Sequence, residues 1–162
     1  MVLNRLKAWW AAICSTLSSI STKEPVLSAT VEPPESITRF LRHSSYYNSQ
    51  TGRVKHEGLL PPSLNPQAGL SRYETSVYRT AGANSQTLWA ICARHVDAAD
   101  AAMKARGTVE AHVVLAQGLS FDADGKPHPW HANVIGWPEE KHARKNLARV
   151  IADRMTLEVR PS

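Results

Sequence analysis

The chain has 162 residues, 43% of them apolar, and a formal charge of +5 at neutral pH. That size fits one domain with a short appendage, and that apolar share supports a single core and excludes wholesale disorder. Two cysteines, Cys14 and Cys92, exclude a disulfide framework and a zinc knuckle, and fit a reducing, cytoplasmic setting.

Val2, Leu6, Trp9, Ile13, Leu17 and Ile20 recur at helical spacing, which predicts an amphipathic helix over residues 1–21. No small-x-small cleavage site follows, and the apolar run is too short to span a bilayer, so the segment is read as a helix rather than an export signal. Arg5 and Lys7 are too few for an electrostatic anchor; docking on the domain or a partner is expected ahead of membrane contact. Pro25, Pro33 and Pro34 mark residues 22–36 as a linker, and a single α+β domain is expected over 37–162.

Within that domain, Ile37–Arg42 fits a short strand or one helical turn, and the pattern does not decide. Ser44–Gln67 is rich in Ser, Asn, Gly and Pro and reads as one long loop. Thr75–Thr80 alternates as a strand, and Gly82-Ala83-Asn84 turns the chain, with Asn84 or Ser85 as a helix cap. Leu88, Cys92, Val96, Ala99 and Met103 mark the buried stripe of that helix, with Gly107 as its terminator, although Asp97–Asp100 offers a point to split it. Val109–Leu115 is expected as a strand, Asp122–Gly125 as a turn and Trp130–Ile135 as a third strand. Pro138 suits the first position of a helix whose apolar stripe is Ala143, Leu147, Val150 and Ile151. Thr156–Val159 closes the fold. The order β-α-β-β-α-β predicts a small, mostly antiparallel sheet with the two main helices packed on one face.

Trp130-His131-Ala132-Asn133-Val134-Ile135-Gly136-Trp137-Pro138 concentrates two tryptophans, a histidine and an asparagine, each of which needs a hydrogen-bond partner when buried. From Glu74-Thr75-Ser76-Val77-Tyr78-Arg79 through Leu88-Trp89, Gly118-Leu119 and His131-Ala132-Asn133 to Gly136-Trp137-Pro138, Lys141 and Leu147-Ala148, the chain resembles a group of short bacterial proteins. The resemblance covers about half the sequence. It implies a bacterial origin and a real domain, and it attaches no activity.

Three chemistries compete. His112, His128 and His131, with Asp122 and Asp124 between them, have the residue types of a metal centre but no recognised zinc signature. Hydrogen-bonded, space-filling histidines are the reading adopted, and neither metal nor cofactor is expected. A small hydrolase or transferase would use His131 as general base, Asn133 as polar stabiliser, Arg79 as anion clamp, His112 in the same cleft, and Tyr78 or Ser76 as a nearby hydroxyl. Cys92, on an apolar helix stripe, reads as an inert core thiol.

The third chemistry, and the leading expectation, is a binding or accessory module. Between Ser36 and Tyr73 lie Arg39, Arg42, Arg53, Lys55 and Arg72 against the single acid Glu57, interleaved with Phe40, Tyr46 and Tyr47. Base stacking beside a basic groove holds single strands in this way. Trp89, at the edge of its helix stripe, is a candidate anchor for a protein partner. Nucleic acid and protein are both carried forward as partners.

Overall fold

The computed structural model describes residues 27–80 and 82–162; the amphipathic helix expected over 1–21 and the first part of the linker lie outside them. The elements run β1 (Ser36–Leu41), β2 (Tyr47–Asn48), β3 (Arg53–Val54), β4 (Thr75–Arg79), α1 (Ser85–His95), β5 (Ala105–Glu110), α2 (Ala111–Leu115), β6 (Ser120–Asp122), β7 (His131–Ile135), α3 (Lys141–Ala152) and β8 (Thr156–Val159). Six strands form one sheet in the order β6-β7-β4-β1-β5-β8, every described ladder antiparallel. The short β2–β3 hairpin stands apart. Mixed α and β structure on a mostly antiparallel sheet agrees with the sequence reading. Among the described residues no helix is long and apolar enough to cross a membrane.

The placement of the helices differs from expectation. Strand alternation puts Ile37, Leu41, Val77, Val109, Ala132 and Val134 on one sheet face, where Ala148, Ile151 and Ala152 of α3 and Ala111 and Val114 of α2 cover them. Phe40 and Tyr78 belong to the opposite face and pack on Leu88, Trp89, Ile91 and Cys92 of α1. The helices therefore lie on both faces, because the β4–α1–β5 and β7–α3–β8 crossings pass on opposite sides of the sheet. The second face is otherwise polar. Registered pairs there include Ser76 with Asn133, Tyr78 with His131, Thr38 with Thr108 and Arg106 with Glu158, and a single eleven-residue helix does not cover them all.

Several element boundaries also move. Asn84 caps α1 as expected, its side chain accepting from Thr87 N at 2.9 Å. The helix stops at His95, however, because the Asp97 carboxylate takes Met103 N at 2.7 Å and folds the chain away. Gly107 is not a helix terminator but a strand residue opposite Arg39. A Cβ there would stand 2.7 Å from Val54 Cγ2 and 3.1 Å from Met155 Cε, so glycine lets β5 approach the β3 segment closely. The strand expected over Val109–Leu115 ends at Glu110. Ala111 and Val114 are both buried at helical spacing, which turns the rest into α2.

At the start of α3, Glu140 rather than Pro138 ends the preceding segment, its carboxylate accepting the backbone N–H groups of His142 and Ala143. Val150 is exposed, and Ala148 takes its place on the buried stripe. The long loop is ordered around the hairpin. Asn48 Oδ1 accepts from Gln50 N and Thr51 N, and Val54, Gly58 and Leu59 are buried.

Gly136 has φ of +86°, the left-handed turn that joins β7 to the α3 approach. Trp137 follows it into the core, 7% exposed, and donates Nε1–H to Val134 O at 3.1 Å.

Candidate active site

β1 and β4 pair only through Ile37–Arg79 and Thr38–Tyr78. Beyond Thr38 the two strands part, and the Arg39 side chain spans the gap. Its Nη1 donates to Ser76 O at 2.8 Å and its Nε to Gly58 O at 3.2 Å. Thr75 Oγ1 donates to Leu59 O at 2.8 Å and fixes the loop from the other side. A cleft of about 470 Å³ opens on the polar face at this splay, with Ser76, Tyr78 and His131 on one wall and Arg42, His43 and Met103 among its other lining residues.

His131 begins β7 and is buried, 6% exposed. Its Nε2 lies 2.8 Å from Ser76 Oγ on the neighbouring strand, and its Nδ1 lies 2.5 Å from Asp124 Oδ1 in the β6–β7 connection. Asp124 is held in turn. Lys126 N–H donates to Oδ1 and Asn133 Nδ2 donates to Oδ2, each at 3.3 Å. Burial alone would push the Asp124 carboxyl up; the hydrogen bonds from His131 and Lys126, with their charges, outweigh it and leave the group below the usual carboxylate value. In the tautomer that donates Nδ1–H to Asp124, Nε2 accepts the Ser76 hydroxyl proton. Tyr78 stacks its ring edge to face on His131 at 5.2 Å. Burial, with the Cys92 and Asp124 charges, pushes its phenol up to about 12, so the hydroxyl stays a donor at neutral pH.

Two of the four residues expected to be catalytic, His131 and Asn133, come together. Ser76, expected as a nearby hydroxyl, joins them. Arg79 does not. It points to the opposite face and is 2% exposed. Its Nε and Nη2 donate to the two Glu35 carboxylate oxygens at 2.7 Å each, Nη1 donates to Ser28 O at 2.6 Å, and Nη2 also donates to Thr30 O at 3.0 Å. A guanidinium so occupied holds the chain entering β1 and cannot serve as an anion clamp in the cleft. His112 faces a different groove, more than half exposed, with Nδ1 2.9 Å from Glu110 Oε2.

The expected binding residues divide as well. Arg39 and Arg42 reach the cleft, Arg39 with Nε and Nη1 bonded to carbonyls. Tyr46 lines the cleft and Tyr47 the hairpin, and both are half-buried and pack partly on the core. Arg53 and Lys55 share a separate groove with Arg149. Trp89 is 8% exposed, tilts against Phe40 at 5.7 Å and donates Nε1–H to Glu158 Oε1 at 2.7 Å, so burial removes it from any partner surface.

Cys92 is fully buried, and burial beside Asp97 pushes its thiol up to about 12, which leaves no thiolate for nucleophilic attack. Among the described residues no group of three or more His, Cys, Asp or Glu converges as a metal centre requires. His128 Nδ1 instead accepts Trp130 N–H at 3.2 Å. The residue that sequence reasoning missed is Asp124 as the partner of His131. The sequence places it in a turn and among the residue types of a metal centre, and no short-range spacing ties it to Ser76.

No protein-family model, curated protein or solved structure matches this chain.

Proposed function

We propose that the chain is a small serine hydrolase or acyl transferase in which Ser76 is the nucleophile, His131 the general base and Asp124 the group that orients the imidazole and stabilises its charged form. The observation that carries this reading is the unbroken line from Asp124 Oδ1 through His131 Nδ1 and Nε2 to Ser76 Oγ, with links of 2.5 and 2.8 Å. That constellation activates a hydroxyl on unrelated folds and is recognised by geometry rather than by sequence order. Ser76 Oγ attacks the acyl carbon as its proton passes to His131 Nε2, and Asp124 stabilises the imidazolium. His131 returns that proton to the leaving oxygen as the C–O bond breaks. Water, or an acceptor alcohol in a transferase, then attacks the acyl-Ser76 ester by the same route and restores Ser76. Tyr78, lining the same cleft, is the neutral donor for charge developing on the acyl oxygen.

The test is hydrolysis of a panel of p-nitrophenyl esters by the parent and by Ser76→Ala, His131→Ala and Asp124→Asn. The parent should turn over at least one ester, and the first two variants should lose about a thousandfold or more of that rate. A Ser76→Ala variant as fast as the parent would refute the assignment.

A second reading, an accessory module that contacts nucleic acid or a protein through the basic loop, is supported by Arg53, Lys55 and Arg149, which outnumber Glu57 and Asp153 around one groove of about 330 Å³. Binding of single-stranded DNA or RNA that weakens steeply with salt would support it, and Gln replacements at Arg53 and Lys55 should flatten the slope.

A further inference from the structure

We infer that the cleft beside Ser76 selects acyl compounds carrying a second, anionic group, and that Arg42 is the residue that reads that charge. The inference rests on the Ser76 relay for the place of the acyl carbon, and it adds the substrate class. Arg39, Arg42, His43, His95 and His131 all line the cleft, and no carboxylate does. Asp124, the acid on the far side of His131, is already committed to His131, Asn133 and Lys126 N.

The two arginines differ in how they are held. Arg39 donates from Nε to Gly58 O and from Nη1 to Ser76 O, which fixes its guanidinium across the strand gap without cancelling its charge. Arg42 is half-buried and makes no hydrogen bond or ion pair among the described residues. An unpaired guanidinium in a partly desolvated concavity attracts anions, because the lowered dielectric strengthens the Coulomb term and its planar fork fits a carboxylate or phosphate in two-point contact. Phe40, Val96 and Met103 add apolar surface to the same cleft, suited to the carbon chain of such a ligand. The ligand is thus a small ester, thioester or acid with a carboxylate or phosphate at the end away from the reacting carbon.

The experiment uses glutarate and butyramide as binding probes, and p-nitrophenyl glutarate monoester and p-nitrophenyl butyrate as substrates. Isothermal titration should show glutarate binding to the parent and to Ser76→Ala alike, with butyramide at least about tenfold weaker. Arg42→Gln should lose about tenfold or more in glutarate affinity at an unchanged melting temperature, and Arg42→Lys should recover part of it. Equal affinity for glutarate and butyramide, absence of glutarate binding, or an Arg42→Gln variant that binds glutarate like the parent would each overturn the inference. Failure of the two readings is distinguishable. Glutarate binding through Arg42 without hydrolysis of either ester removes the relay and keeps the charge selection, whereas hydrolysis of both esters at equal kcat/KM keeps the relay and removes the selection.

Discussion

Replacing Glu35 by alanine removes both carboxylate oxygens from Arg79, a side chain only 2% exposed in the parent. Ser28 O and Thr30 O still accept from Nη1 and Nη2, so the donors are only partly orphaned, but the positive charge loses its one counterion among the described residues. Breaking a buried pair from one side costs about 3–5 kcal/mol, and the surviving carbonyl contacts place this case near 3 kcal/mol. For a domain of this size that is a fall of about 6–12 °C in Tm. Urea and thermal unfolding of Glu35→Ala, Arg79→Met and the double variant form the assay. The double variant should be markedly more stable than Glu35→Ala alone, since removing both partners takes away the uncompensated charge. A Glu35→Ala protein within about 1 kcal/mol of the parent, or a double variant as damaged as the single, would refute this account of Arg79.

Trp137→Ala should destabilise by about 3–5 kcal/mol, because it empties a buried indole site and leaves Val134 O without its donor; equilibrium urea unfolding measures it. Acid should loosen the fold in a defined direction. Burial alone would raise Glu35, Asp97 and Glu158, but hydrogen bonds to Arg79, to Met103 N and Arg160, and to Ser85, Trp89 and Arg106 respectively bring all three below their usual values. Groups depressed on folding contribute stability that is fully present above the unfolded carboxylate values and is lost as pH falls through the folded ones. Tm should therefore be level above about pH 5 and fall progressively below it, and Glu35→Gln should make that fall shallower.

The parts of the fold legible in the sequence were those fixed locally. Asn84 caps α1 through its own side chain, β7 and β8 fall where short β-prone runs lie, and Gly136 supplies a positive φ that the turn requires. The parts that were not legible were decided by distant partners. Gly107 looks like a helix stop until β1 pairs with it and Val54 presses on it. Arg79 looks like an anion clamp until Glu35, 44 residues earlier, closes on it. His131 and Asn133 stood out because a His and an Asn on a Trp-rich strand must find partners. Ser76 reaches His131 across 55 residues through strand register alone, and sequence spacing carries no trace of that pairing. Asp124 was hidden by its own Asp-Gly turn, whose local role is real and whose second role depends on where β7 lies.

The central claim is that His131 and Asp124 make Ser76 a nucleophile. Labelling the purified protein with a fluorophosphonate, followed by peptide mass spectrometry, tests it directly, since such probes react with activated serine hydroxyls and spare ordinary ones. The account predicts a single phosphonate adduct on Ser76 that forms slowly or not at all in His131→Ala and Asp124→Asn. An unlabelled Ser76 in the folded parent protein, or labelling that survives His131→Ala undiminished, would contradict it.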